Sequence, residues 1–211
     1  MTQIRPRRVA LVVLSAVLLT AVACSKDKKT SATTTTAAPT TTTSESTTTT
    51  VPLTKDAIVL APDGLGPQLP FGQNAARSIN LLIQALGPAE KNTPLPVAQA
   101  CGATRRLQWG SFQALVNEVG ATSGAGRPGF AGWFLGAPGA AQPFKTDKGI
   151  TIGSTVAQLK AAYPEAVIAR GEQGPGFNIT LAKGIILGQL TLLTDAGKIT
   201  NIQAGSYCGP G

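Results

Sequence analysis

The chain has no histidine, only three cysteines and a single methionine among its 211 residues. Each scarcity closes a class of chemistry. Without histidine there is no Ser-His-Asp triad and no histidine-ligated zinc. The side chain that most readily trades protons near neutral pH is also missing. Three cysteines cannot build a Cys-rich metal cage, and neither a metal nor a cofactor is expected. Charge is sparse: Asp, Glu, Lys and Arg make up 13% of the chain, and aromatics 5%. The formal charge is +8, but six of the basic residues precede residue 30. From Val51 onward twelve Lys and Arg stand against eight Asp and Glu. No basic run is interleaved with aromatics there, so nucleic acid is not an expected partner.

The N-terminus is where the chain is distinctive. Arg5, Arg7 and Arg8 precede an apolar run from Val9 to Leu19. That run has the length of a signal-peptide h-region and is shorter than the roughly 20 residues of a spanning helix. Ala21, Val22 and Ala23 then offer small side chains, directly followed by Cys24. This stretch resembles the lipobox of bacterial lipoproteins, with Ala21 where leucine is more usual. The resemblance implies cleavage after residue 23 and a diacylglycerol on the Cys24 sulfur. The plainer reading is an ordinary secretory signal that leaves a free thiol. Arg7-Arg8 fits twin-arginine export poorly, and the export route stays open. Each buried methylene contributes about 0.8 kcal/mol, so two or three acyl chains hold a protein firmly to a membrane. Lys26, Lys28 and Lys29 would lie at the headgroups, where basic residues favour anionic lipid.

Residues 30–50 are almost entirely Thr, Ser, Ala and Pro, with Glu45 the one charge. Such a segment buries too little to offset the entropy of ordering, so 24–50 reads as a lipidated, disordered stalk. Tracts of this composition often carry O-linked sugars. Residues 51–211 then form one globular domain. If Cys24 is acylated, Cys101 and Cys208 remain. Outside the cytoplasm they are expected to pair, closing a loop of ~100 residues that the chain-entropy model values at about 4–5 kcal/mol.

Within the domain two segments look alike. Leu69–Pro88 and Ile150–Pro164 each carry an extended apolar pair, a glycine, a polar stretch, an amphipathic helix and a proline stop. Ile79, Leu82, Ile83 and Leu86 predict one helical face, and Gly87 a C-terminal stop. Thr155 and Gln158 fit a capping box, with Val156, Leu159 and Tyr163 as the buried stripe. Strand-like runs follow each helix, and Asp195-Ala196-Gly197 marks a hairpin turn. The expected fold is α+β: two helix-then-strands repeats, 51–144 and 145–211, forming an antiparallel sheet with helices on one face. Phe71-Gly72 and Ile152-Gly153 before the helices resemble the tandem-repeat β-lactamase inhibitory proteins and the SmpA/OmlA-type lipoproteins. Gln73 and Ser154 stand where those families usually have methionine. The layout is also similar to actinobacterial envelope lipoproteins with "DGLG…FG" openings. These resemblances imply a binding or scaffolding module.

Other motifs carry less. Residues 124–129 match G-x-G-x-x-G but lead into an apolar strand rather than a helix, which a dinucleotide site requires. Ser25 and Lys28 have S-x-x-K spacing without a pocket. Asn178-Ile179-Thr180 is a formal sequon. Most Asp residues neighbour turn glycines. Trp133 and Phe134 must face opposite sides of a strand, core burial of both being favoured. Trp133, Arg105 and Arg106 are the candidate partner contacts. The expected function is a non-enzymatic, lipid-anchored envelope module that binds a protein or a wall polymer. The alternative is a wall enzyme, or an inhibitor of an envelope enzyme.

Overall fold

The computed structural model describes residues 52–96, 101–119, 128–136 and 139–206. All lie in the compact unit Thr48–Gly211. A 3-10 turn (Lys55–Ala57) leads into β1 (Val59–Ala61) and β2 (Gly64–Leu65). Helix α1 (Ala75–Leu86) is followed by β3 (Lys91–Pro94), β4 (Arg105–Trp109), β5 (Phe112–Asn117) and β6 (Gly129–Leu135). After β7 (Lys145–Thr146) comes helix α2 (Val156–Ala162). Four strands follow it: β8 (Val167–Gly171), β9 (Gly174–Leu181), β10 (Gly184–Leu190) and β11 (Ile199–Gly205). The fold is α+β, with two helices among the described residues and one large antiparallel sheet. Its eight strands run in the order β3-β4-β5-β6-β11-β10-β9-β8, and β2-β1-β7 form a small second sheet.

Both helices bury their apolar sides in one cluster with the same face of the large sheet. Leu107, Phe112, Val116, Phe130, Trp133 and Leu135 come from β4, β5 and β6. Phe177, Ile179, Ile186, Leu190, Ile199 and Ile202 come from β9, β10 and β11. Alternation along each strand, shifted by one residue at a bulge in β6 and in β11, places these side chains on one face. Buried indole N–H groups find backbone partners, as buried polar groups must. Trp109 Nε1 donates to the carbonyl of Gly87 at the end of α1, and Trp133 Nε1 to that of Ala61 in β1, each at 2.9 Å.

The helices form for different local reasons. Asn74 caps α1 by accepting from the Arg77 amide at 3.1 Å. Its buried residues are Ser78, Leu81 and Leu82. Ile83, expected inside, is 38% exposed. Ser78 explains the difference. Its hydroxyl donates back to the carbonyls of Gln73 and Asn74, at 3.1 and 2.8 Å, so a polar residue can face the core. Helix α2 carries the expected capping box: the Gln158 amide donates to Thr155 Oγ1, and the Thr155 amide to Gln158 Oε1. Val156, Leu159 and Tyr163 are buried as expected.

The turn before each helix is pinned to a strand by the same kind of bond pair. The Gly72 amide donates to the Phe130 carbonyl (2.8 Å), and the Phe130 amide to that of Gln73 (2.7 Å). The Gly153 amide donates to the Ile199 carbonyl (2.8 Å), and the Ile199 amide to that of Ser154 (2.9 Å). Gly72 and Gly153 sit at φ 86° and 83°, which favours glycine. The β5–β6 pairing skips Ala131, and the β10–β11 pairing skips Thr200, so each pair carries a bulge.

Candidate functional site

The sheet face opposite the helices holds the site. Because opposed residues in antiparallel strands share a face, the register defines one row across all eight strands. It runs Lys91, Gln108, Gln113, Phe134, Gln203, Leu187, Asn178, Val167. Burial changes abruptly at its middle. Gln108, Gln113 and Phe134 are 6–8% exposed, whereas Leu187 is 40% and Val167 64% exposed. A second row, Ala169, Gly176, Gln189 and Asn201, lies beside the open part.

A reason for the closed half is visible in the chain. Ten residues, 95–104, connect β3 to β4, and Leu95 and Ala103 are buried against Leu115 of β5 in a second small cluster. Cys101 and Ala131 pack on the same cluster. The Leu95 amide donates to the Thr104 carbonyl, and the Thr104 amide to that of Val116. Between β8 and β9, by contrast, stand only Glu172 and Gln173. That tight turn leaves β8, β9, β10 and β11 uncovered.

The result is an open groove of about 460 Å³. Its floor is Gly176, Asn178, Leu187, Gln189, Asn201 and Gln203, and its rim carries Arg170 and Glu172. The polar groups on this floor are uncharged amides. Three form a ladder: Gln189 Nε2 donates to Gln173 Oε1 (3.1 Å), and Asn201 Nδ2 to Gln189 Oε1 (2.7 Å). Asn201 Oδ1 accepts from the Gln189 amide, which fixes the Asn201 orientation. Asn178, the residue of the sequon, accepts from Thr180 Oγ1 and points onto this face. Ile185, 45% exposed, extends the apolar surface along β10.

A second cleft of about 790 Å³ lies among Pro62, Pro67, Pro70, Leu181, Asp63, Asp147 and Lys183. Its carboxylates are already engaged. Asp63 pairs with Lys183 at 3.5 Å, and Asp147 Oδ1 accepts from Tyr163 Oη at 2.7 Å. Lys148 Nζ sits 4.4 Å from the Tyr163 ring centroid. Burial, followed by the neighbouring Asp147, pushes the Tyr163 hydroxyl up to about 12. This constellation ties the end of α2 to the β7 turn. Of the two concavities we take the open sheet face as the site.

The residues singled out from sequence fall elsewhere. Trp133 is fully buried, so it has no surface to offer a partner; its inward strand position won. Phe134 does point to the opposite face but is 8% exposed. Arg105 pairs with Glu118 at 2.9 Å and donates to Asn92 Oδ1, and Arg106 is buried at 7% exposure beside Leu115 on the closed half. None of these three reaches the groove. Cys101 is disulfide-bonded. Cys24, Cys208, the stalk and residues 124–127 lie outside the described residues. Among the described residues no group of three or more Cys, Asp or Glu is placed to hold a metal, and no helix is long and apolar enough to cross a membrane.

Val167, Asn178, Leu187, Gln189 and Gln203 were not legible as site residues. Alternation in "GFNITL" and "GIILGQL" assigns Asn178 to one face of β9, and Leu187 and Gln189 to one face of β10. It does not say that these faces are uncovered, which depends on how far two turns reach. Compared with known proteins, the chain matches no family model, no curated sequence and no solved structure.

Proposed function

We propose that this chain is a lipid-anchored binding module of a bacterial cell envelope, which docks a partner on the open half of its large sheet. The anchor is Cys24, whose sequence setting supports acylation, and residues 25–50 serve as the tether. The observation that carries the docking reading is the burial step along one cross-sheet row, from Phe134 at 8% to Leu187 at 40% exposed.

The reading includes a duplicated body. Its support is the mirrored strand order about β6 and β11, the paired bonds at Gly72 and Gly153, and the matching bulges at Ala131 and Thr200. Superposing these landmarks equates Gln113 with Leu187 and Leu115 with Gln189. One half closes its outer face with its own chain; the other presents it. The Cys101 bond fits this role, because Cys101 packs on the same small cluster as Leu95 and Ala103. Cys208 is its proposed partner: the Ser206 amide bonds to Ala131, which packs on the Cys101 cluster, and two residues reach at most roughly 7 Å.

A non-enzymatic role agrees with a floor of amides and aliphatic carbons. An inhibitor of an envelope enzyme would use the same face, and an enzyme would have to use the carboxylates of the second cleft. The test is amine crosslinking of cells that express the full chain. Wild type and Ile83→Glu should give the same higher-mass adducts, and Leu187→Glu should lose them. Adducts retained in Leu187→Glu would remove the open face from the account.

A further inference from the structure

We infer that the open half of the sheet takes an uncharged peptide segment of a partner protein, in the way the closed half takes Leu95 and Ala103 of this chain. The inference rests on the docking reading above and names its ligand.

Three observations carry it. The first is the internal precedent: Leu95 and Ala103, from a stretch with no charged residue before Arg105, are buried on the outer face of β5. The same sheet, one pseudo-repeat away, lacks that cover because the β8–β9 connection is two residues long. The second is the lining. Asn178 and Gln203 offer amide groups that both donate and accept, as a peptide backbone does, while Leu187 and Val167 offer aliphatic surface for small apolar side chains. The Gln173, Gln189 and Asn201 amides satisfy one another and hold the floor flat. The third is charge. Arg170 and Glu172 stand at the rim with opposite signs, so the floor gives a charged side chain no counter-ion, and burying one there would be costly.

The lining disfavours a glycan. The one phenylalanine ring of this half turns the other way: Phe177 lies in the core at 5% exposed. No described aromatic on the open half is left as a flat platform for a sugar ring.

The probe is a capped synthetic peptide of residues 94–104 carrying Cys101→Ser, titrated against isotope-labelled mature chain. Shift changes should concentrate at Val167, Asn178, Leu187, Gln189 and Gln203. Leu187→Glu, with its thermal midpoint checked against wild type, should weaken binding by at least about tenfold, and Ile83→Glu should not. A peptide variant with Leu95→Glu should lose binding to a similar degree. Absence of shifts at millimolar peptide, or shifts confined to other surfaces, overturns the peptide assignment. So does a soluble peptidoglycan oligosaccharide that perturbs the same residues when the peptide does not. In those cases the crosslinking experiment separates the two claims: if Leu187→Glu still loses the wild-type adducts, only the ligand class falls.

Discussion

Tyr163 shows how a residue without catalytic duty still sets a measurable property. Its ring fills the core at 1% exposure and its hydroxyl reaches Asp147. Below pH 10 both folded and unfolded chains keep the phenolic proton. Between pH 10.0 and about 12 the unfolded chain has released it and the folded chain retains it. The unfolded state then binds fewer protons, so stability falls as pH rises through that window. Tyr163→Phe should therefore flatten the alkaline limb of a stability–pH curve. At neutral pH it should cost about 1 kcal/mol for the lost hydrogen bond. An unchanged limb between pH 10 and 12 would refute this role. Gly188 makes a second point. It lies opposite Phe177, and a Cβ there would run into that ring and the Asn201 carbonyl. Gly188→Val should cost about 1–3 kcal/mol in a denaturant melt. Its effect should also reach the groove, because Asn201 must move.

At the scale of elements, α2 has the more explicit start signal. Thr155→Ala breaks the reciprocal cap and should cost about 1 kcal/mol in thermal unfolding. Lys160 and Asp195, 2.8 Å apart, are both more than half exposed, so Lys160→Ala should stay within about 0.5 kcal/mol of wild type. Equal effects from the two substitutions would contradict that ranking. The same contrast explains what was legible beforehand. Thr155, Gln158 and Pro164 are local signals, and the chain obeys them. Helix α1 lies where its apolar period puts it but is rotated, because Ser78 satisfies its hydroxyl locally and slips into the core. β3 is Lys-Asn-Thr-Pro, all exposed, and becomes a strand only because β4 offers it an edge. β8 is five residues long and mostly exposed, too short for alternation to speak. Trp133 and Phe134 are both buried, as the sequence favoured, and strand phase turns Trp133 inward, which leaves it no surface for a partner.

For the whole molecule, the account joins an anchor, a tether and a domain with one closed and one open outer face. The anchor makes a separate prediction. Wild-type protein should partition with membranes and take up labelled palmitate, and Cys24→Ser should lose the label and appear in the aqueous fraction. Label retained on Cys24→Ser would end the lipid-anchor reading without touching the sheet. The sheet arrangement itself was half legible. Helix-first segments and hairpin turns pointed to an antiparallel sheet. The asymmetry between its halves was not legible, because it comes from Leu95 and Ala103 packing on Leu115, against a two-residue connection at Glu172-Gln173.

The most direct measurement places a photocrosslinking amino acid at either of two positions of one cross-sheet row in the full chain, in living cells. Gln113 and Leu187 occupy the same row, 6% and 40% exposed. The account predicts a discrete intermolecular adduct from position 187 and none from position 113. Equal yields at both, or an adduct from position 113 alone, would contradict it.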